Sequence, residues 1–493
     1  MNEKGRKLVQ EIFGEEARKI PVVNQDPWRL KFHLMPPTGW LNDPNGLCQA
    51  DGVYHVFFQY SPFDAGGGEK FWGHYTSTNL RDWEYRGAPL APDEAFDKDG
   101  VYSGSAFVEE KKIYLFYTGN VKQPGGHDYV MSGREGNTIL VESEDGIHFG
   151  EKQLLMTNED YPSDYTCHIR DPKVFEKDGL YYMVLGGRKK GDSGAVLLYE
   201  SADLKSWTMK TELKVSGQFG YMWECPDLFF IGKNAFLSLS PQGVPRGKYE
   251  FQNVYSSGYF RIEGDFRNGC KLIGYEEWDK GFDFYAPQSF QDETGRRILI
   301  GWCGLPDIDK EYENPTVQKG WQHALTVPRE ITEKDGRLCQ YPVSELNHLR
   351  RKEKDVIPGK ETTLSAAFDL KLSLQEGCDD LKVTIAGGLH FTYDGREAVL
   401  SFDDSRDREG NFSGIGRGRD MRKTLIAGLK EVRILADTSL VELYLNHGEK
   451  VFTTRYYPGG STRSLLAEGK IRETACWEMG AMQVRHRAAQ NAE

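Results

Sequence analysis

The sequence predicts an all-β protein, a five-bladed β-propeller followed by a C-terminal β-sandwich, and three observations carry that prediction. First, a strand-like pattern recurs as Asp51-Gly52-Val53-Tyr54-His55-Val56-Phe57-Phe58, as Lys112-Ile113-Tyr114-Leu115-Phe116-Tyr117 and as Asp178-Gly179-Leu180-Tyr181-Tyr182-Met183-Val184-Leu185. Weaker copies follow at 232–239 and 295–302, so successive copies lie about 55 to 67 residues apart. That spacing exceeds the roughly 40 to 50 residues of common propeller blades and requires extended loops. Second, Ser77, Ser143 and Ser201 each stand six positions before an aromatic residue, Trp83, Phe149 and Trp207, across a polar turn. This reads as a third strand turning into a fourth, and four short antiparallel strands repeated radially leave only short, protected edges. Third, strand patterning continues past the repeat: Val441, Leu443 and Leu445 alternate with Glu442, Tyr444 and Asn446, and His447-Gly448 supplies a turn. About 140 residues of such unrepeated strands suit a sandwich of two sheets.

In chain order, residues 1–29 are a helical extension, with Leu8, Val9, Ile12, Phe13 and Ala17 at helical spacing in a charged background. That background lacks the apolar stretch a secretory signal needs. The propeller runs from 30 to 335 and closes near Leu325-Thr326-Val327-Pro328-Arg329-Glu330; residues 336–361, charged from 345 onward, form a linker, and 362–493 the sandwich, read as structural. A chain of 493 residues exceeds what one core usually spans, which agrees with two domains. No run approaches the roughly 18 apolar residues of a membrane span. The formal charge of −12 argues against a nucleic-acid partner. Eight cysteines without paired spacing fit buried thiols in a reducing cytoplasm and neither a disulfide framework nor a metal site. His74 and His168 read as hydrogen-bonding partners, and Gly414, Gly416 and Gly418 as a loop.

The repeat places three acids in register. Asp43 in Trp40-Leu41-Asn42-Asp43-Pro44-Asn45-Gly46, Asp171 in Arg170-Asp171-Pro172 and Glu224 in Trp223-Glu224-Cys225-Pro226-Asp227 each lie about 10 to 12 residues before the aromatic or apolar centre of a hairpin. Tyr102-Ser103-Gly104-Ser105 and Asp283-Phe284-Tyr285-Ala286 keep a similar offset in the second and fifth units. Asp-Pro and Asn-Gly are ordinary turn dipeptides when met singly. Sharing one register, they start the innermost strand of each blade and converge at one end of the channel. A carboxyl group that protonates a leaving oxygen and a carboxylate that attacks the anomeric carbon are what glycosidic hydrolysis needs. The loops 61–72, 119–136, 187–194 and 241–252 are expected to rim that pocket. Gln59 and Trp72 flank the first loop, an amide for sugar hydroxyls and an indole for an apolar sugar face.

Six motifs in order, the run 40–46, Phe58-Gln59-Tyr60, Trp72-Gly73-His74, Tyr102-Ser103-Gly104-Ser105, Arg170-Asp171-Pro172 and Trp223-Glu224-Cys225-Pro226-Asp227, closely resemble glycoside hydrolase family 32 from about residue 30 to 485. That family contains invertases, sucrose-6-phosphate hydrolases, inulinases and levanases. The resemblance implies a five-bladed propeller with a β-sandwich, Asp43 as nucleophile, Glu224 as general acid and base, and Asp171 as a stabiliser that binds fructose hydroxyls. It implies a fructose subsite lined by Trp40, Asn42, Gln59, Trp72, Tyr102, Ser103 and Arg170, with Tyr285 and Trp302 at less distinctive positions. It implies no metal and no cofactor.

The expected reaction is retaining hydrolysis of a terminal β-fructofuranoside, with Arg170 and turn amides keeping Asp43 ionised. Sucrose 6-phosphate and sucrose are the expected substrates, the phosphorylated sugar favoured for a chain without an export signal. An exo-fructanase and a non-catalytic sugar-binding propeller are the alternatives. Cations on the rim loops, Arg134 with Lys122 and His127 in the second blade and Arg188, Lys189 and Lys190 in the third, are the candidates for a phosphate, since Arg grips it bidentately and Lys as a point charge. The residues leave oligomeric state open.

Overall fold

A computed structural model describes residues 1–309, 311–403 and 414–486, and they are mostly β. Five consecutive antiparallel sheets occupy residues 39–342. Their first strands are Gly39–Ala50, Val101–Glu109, Tyr165–Lys177, Met222–Ile231 and Tyr285–Gln291. Each first strand packs against the next, and the fifth packs back on the first, so the sheets form a closed ring. The serine–aromatic element is a tight turn ending the third strand of three sheets. Ser143 Oγ accepts from the Gly146 N–H (2.9 Å) and Ser201 Oγ from the Leu204 N–H (3.0 Å), and the fourth strands begin at Trp83, Gln153 and Thr208.

One irregularity positions the site. All five first strands slip register against their neighbours at the polar motifs, between Leu41 and Pro44, Val101 and Gly104, Arg170 and Lys173, Glu224 and Asp227, and Tyr285 and Gln288. A bulge bends a strand and re-aims its side chains. In the last three strands the residue after the pocket residue takes a left-handed conformation: Asp171 at φ 64°, Cys225 at φ 47° and Ala286 at φ 45°. None is glycine, so the surrounding packing holds them there.

Two expected boundaries move. Strand Arg337–Pro342 pairs with Arg329–Lys334 and completes the fifth sheet, so the ring continues past 335. The expected linker also contains strand Arg350–Glu353, which pairs with Ile471–Met479 in the C-terminal unit. That unit has two six-stranded sheets enclosing an apolar core that includes Leu370, Leu372, Val383, Phe391, Ile434 and Leu443. Its end departs from the expected sandwich. Val484–His486 runs parallel to Trp83–Leu90 and covers the outer edge of the first sheet, while Trp321–Gln322 pairs parallel with Gly39–Trp40 and ties the fifth unit to the first.

The strand Leu440–Leu445 alternates in sequence yet is buried on both faces. Its polar face meets the ring: Glu442 accepts from the Val327 N–H (3.0 Å), pairs with Arg329 (2.9 Å) and meets His33 Nε2 (3.1 Å). His33 Nδ1 lies 2.9 Å from Asp437, which also accepts from the Lys31 and Phe32 N–H groups. A fully buried ionic cluster thus stitches the two units together.

The N-terminal helix spans Glu3–Val23, capped by Asn2, whose side chain accepts from the Gly5 N–H (3.0 Å). Its apolar stripe is only partly buried. Ile12 is covered, but Phe13 is exposed, and the position buried beside Ile12 is Glu16, whose Oε1 accepts from Tyr60 (2.8 Å) and Tyr85 (2.6 Å). No helix among the described residues is long and apolar enough to cross a membrane.

Candidate active site

The bulged first strands open into one cavity of about 540 Å³, lined by Trp40, Asn42, Asp43, Gln59, Tyr102, Ser103, Arg134, Arg170, Asp171, Glu224, Tyr285 and Trp302. Every expected catalytic residue and all but one of the expected sugar-binding residues therefore face the same space. The size suits a ligand of a few hundred cubic ångströms held by a small number of polar groups.

Asp43 accepts from Ser103 Oγ at 2.5 Å and Asn42 Nδ2 at 3.1 Å. Asn42 is itself fixed by Trp40 Nε1 (2.8 Å), to which it presents Oδ1, and by Gln59 Oε1 (2.7 Å), to which it donates. Burial pushes the Asp43 carboxyl above its ordinary range, and the Ser103 and Asn42 donors pull it back. Asp171 is buried deeper. Burial, with the neighbouring Glu224 and Asp43 charges, carries it up to about 7 against the lowering effect of Arg170 and of the Cys225 N–H (2.9 Å). Cys225 Sγ lies 3.7 Å from both Asp43 and Asp171, so the two carboxylates converge on one thiol.

Arg170 departs from expectation. Its guanidinium grips Glu224, with Nη2 at 2.5 Å and Nε at 3.2 Å from Oε1, and does not hold Asp43. Glu224 Oε2 accepts from Gln242 Nε2 and Tyr285 OH, both at 2.8 Å. With 15% side-chain exposure, the acid is reachable from the cavity while surrounded by donors.

Trp72 is the expected sugar-binding residue that does not line the cavity. It is wholly buried against Phe57 and Tyr117, and its indole N–H supports the Tyr102 carbonyl (3.0 Å). The phosphate candidates divide in the same way. Arg134 lines the cavity with its Nε buried and unpartnered among the described residues. Arg188 is paired with Asp192 (2.6 Å) and covers the Tyr221 ring, Lys189 is shared by Asp164 and Glu212 (2.8 and 2.7 Å), and Lys190 donates to the Ser163 carbonyl (2.7 Å). Structural partners occupy all three.

Other lining residues had not been singled out. Lys70 Nζ donates to Ser61 Oγ (3.1 Å) and lies 4.9 Å from the centre of the Trp40 ring, and burial lowers it to about 8. Leu305, Ile308, Tyr312 and Asn314 form a wall of the cavity. His323 stands edge-on to Trp40 and Trp302, and neither ring nitrogen has a partner among the described residues. A lone lysine and an insertion within the fifth unit carry no periodic signal; the bulge register marked only the first strands.

Residues 33–342 match the family description "Glycosyl hydrolases family 32 N-terminal domain", and residues 342–478 match "Glycosyl hydrolases family 32 C terminal". The chain is 37% identical to the sucrose-6-phosphate hydrolase of Bacillus subtilis over 94% of its own length and 97% of that protein's. It is 37% identical to an Escherichia coli raffinose invertase, covering 91% and 93% of the two chains. Among solved structures, it superposes on a Lactobacillus gasseri sucrose-6-phosphate hydrolase with a TM-score of 0.82 at 28% identity, over 95% and 96% of the chains. A Bombyx mori β-fructofuranosidase gives the same score and identity over 96% and 98%. Together, a family match along most of the chain and relatives aligned nearly end to end establish that the chain belongs to glycoside hydrolase family 32 and is a β-fructofuranosidase.

Proposed function

We propose that the enzyme hydrolyses sucrose 6-phosphate by a retaining mechanism on a five-bladed β-propeller, residues 33–342, braced by a C-terminal β-sandwich. The closed ring of first strands supports the propeller reading. One observation carries the substrate reading: two cations, Lys70 and Arg134, line the cavity that holds Asp43, Asp171 and Glu224, with Asp307, Asp309 and Glu313 also on its wall, and neither cation is paired with a carboxylate among the described residues. A dianionic phosphate supplies charge and acceptors for both.

In this reading Asp43 attacks the anomeric carbon of the fructosyl unit while Glu224 donates a proton to the departing glucosyl oxygen. The Ser103 and Asn42 donors favour the ionised form of Asp43 against its burial and aim it. Water, deprotonated by the same Glu224, then opens the fructosyl ester and restores both carboxyl groups. Asp171, buried at the cavity wall beside Arg170 and Cys225, binds fructose hydroxyls. Trp40, Asn42, Gln59, Tyr102, Ser103, Arg170, Tyr285 and Trp302 complete the fructose subsite, and Trp72 acts behind Tyr102. The eight free thiols suit a reducing, cytoplasmic setting.

The test is kcat/KM for sucrose 6-phosphate beside sucrose in the wild type, Lys70→Met and Arg134→Ala. A preference for the phosphorylated sugar that collapses in both variants is expected; equal use of the two sugars by the wild type would make the enzyme a plain invertase. The E. coli relative named as a raffinose invertase favours raffinose as the second substrate to assay.

A further inference from the structure

A chain of contacts leads from a surface loop to the acid. His168 Nε2 lies 2.9 Å from the Tyr129 carbonyl oxygen, and His168 Nδ1 lies 2.6 Å from Arg170 Nη1. Arg170 in turn holds Glu224. The carbonyl can only accept and the guanidinium can only donate. His168 therefore has one arrangement that satisfies both neighbours: its proton on Nε2, given to Tyr129, and its lone pair on Nδ1, taking a hydrogen bond from Arg170.

The surroundings keep it so. His168 is largely buried, and its charged neighbours are Arg170, Arg134 and Arg188, so burial and three guanidiniums lower it to about 3. The loop end of the chain is also anchored. The Cys167 N–H donates to the Val130 carbonyl (2.8 Å), and Asp128 Oδ1 accepts from the Val130, Met131 and Ser132 N–H groups. Tyr129 itself sits at φ 55°, a strained conformation that presents its carbonyl to the ring.

We propose that His168 is a positioning residue for glycoside cleavage, which in its Nε2–H tautomer fixes the Arg170 guanidinium against Glu224 and couples that setting to the 123–133 loop. It touches no reacting atom. Arg170 has two hydrogen-bonding partners, Glu224 and His168, and without the second its fork can rotate about the first, leaving the carboxyl group off the line to the leaving oxygen. Misplacing a catalytic group by about 1 Å can cost roughly 100-fold.

This inference rests on the reading of Glu224 as the general acid, and the experiment separates the two. Sucrose needs its leaving oxygen protonated, whereas a nitrophenyl β-fructofuranoside leaves as a stabilised phenolate and needs little help from an acid. In His168→Leu the rate constant for fructosyl-enzyme formation on sucrose should fall by roughly 10- to 100-fold, with a much smaller fall on the aryl fructoside. His168→Asn, whose Oδ1 can stand near the Nδ1 position and accept from Arg170, should recover most of the loss. An equal loss on both substrates, or no recovery with Asn, would overturn the proposal and leave His168 as scaffold.

Histidine-labelled protein gives a readout independent of catalysis. The ¹⁵N shifts of His168 should report a neutral ring protonated at Nε2, and an Nδ1–H or charged ring would overturn the proposal. If Glu224→Gln is fully active on sucrose while the tautomer is as expected, the assignment of Glu224 has failed and not the arrangement of His168.

Discussion

Arg170 and Glu224, 54 positions apart in sequence, meet through two hydrogen bonds of 2.5 and 3.2 Å to a single oxygen. The bulges that re-aim two neighbouring first strands make this contact possible, because each places its pocket residue just before a left-handed residue, Asp171 or Cys225. The pair leaves Asp43 to uncharged hydrogen-bond donors, so Asp43 and Glu224 occupy unlike settings. One carboxylate is held by a hydroxyl and an amide, the other by a cation, an amide and a phenol.

Asp43→Asn should abolish turnover of any fructoside. Ser103→Ala keeps the carboxylate but removes its shortest hydrogen bond. A hydrogen bond to a charged group contributes about 1.5 to 3 kcal/mol, so kcat/KM should fall roughly 10- to 100-fold. The check is steady-state kinetics beside a thermal melt, with a melting temperature within a few degrees of wild type.

Glu224→Gln should lose roughly 10²- to 10⁴-fold on sucrose, the usual contribution of a general acid. Formate or azide should restore part of the turnover of an activated fructoside by supplying the missing base or nucleophile in the second step. Full activity in the amide variant would assign the acid elsewhere.

Arg188→Ala, Lys189→Ala and Lys190→Ala should leave the ratio of sucrose 6-phosphate to sucrose kcat/KM unchanged, because Asp192, Asp164, Glu212 and the Ser163 carbonyl already hold these cations. If any of them shifts the ratio as far as Arg134→Ala does, the phosphate lies further out than the cavity.

His33→Leu should destabilise the whole chain by about 3 to 5 kcal/mol, the cost of stranding buried charges, since Asp437 and Glu442 would both lose their shared donor. Burial disfavours a charged His33, but the hydrogen bonds it donates to Asp437 and Glu442, with their charges, outweigh it and raise its pKa. The sign follows. This contribution is complete below the ordinary histidine value of 6.5 and fades as pH rises through the raised value, so the gap in melting temperature between wild type and variant should narrow at alkaline pH.

The parts of this fold that were legible before any coordinates share one property: they repeat. Tyr54, Tyr114 and Tyr181 mark equivalent hairpins, and the register they set brought Asp43, Asp171 and Glu224 to one cavity, because a bulge at a fixed distance from a hairpin re-aims whatever residue stands there. What occurs once was not legible. Lys70 sits in a single loop, the wall of Leu305, Ile308, Tyr312 and Asn314 precedes the third strand of one sheet, and Val484–His486 returns to the first sheet over a long chain separation. Trp72 was misplaced for another reason. An indole near a pocket carries the same sequence pattern whether it faces a ligand or packs behind the lining, and only its contact with the Tyr102 carbonyl decides.

Glu16 offers a test of how the N-terminal helix docks. Burial raises its pKa to about 7, against the lowering effect of hydrogen bonds from Tyr85 and Tyr60. An acid whose pKa is higher folded than unfolded contributes stability that is complete below its unfolded value of about 4.5 and is lost as pH rises toward 7. Glu16→Gln retains an oxygen that can accept from both phenols and carries no charge at any pH. The variant should match wild type near pH 4.5 and exceed it at pH 8, by up to about 3 kcal/mol. Amide hydrogen exchange across residues 3–23 reads the difference directly: protection in the wild type should fall between pH 5 and 8 relative to the variant, after correction for intrinsic exchange. Parallel profiles would mean that Glu16 ionises without cost and that Tyr60 and Tyr85 stabilise its charged form.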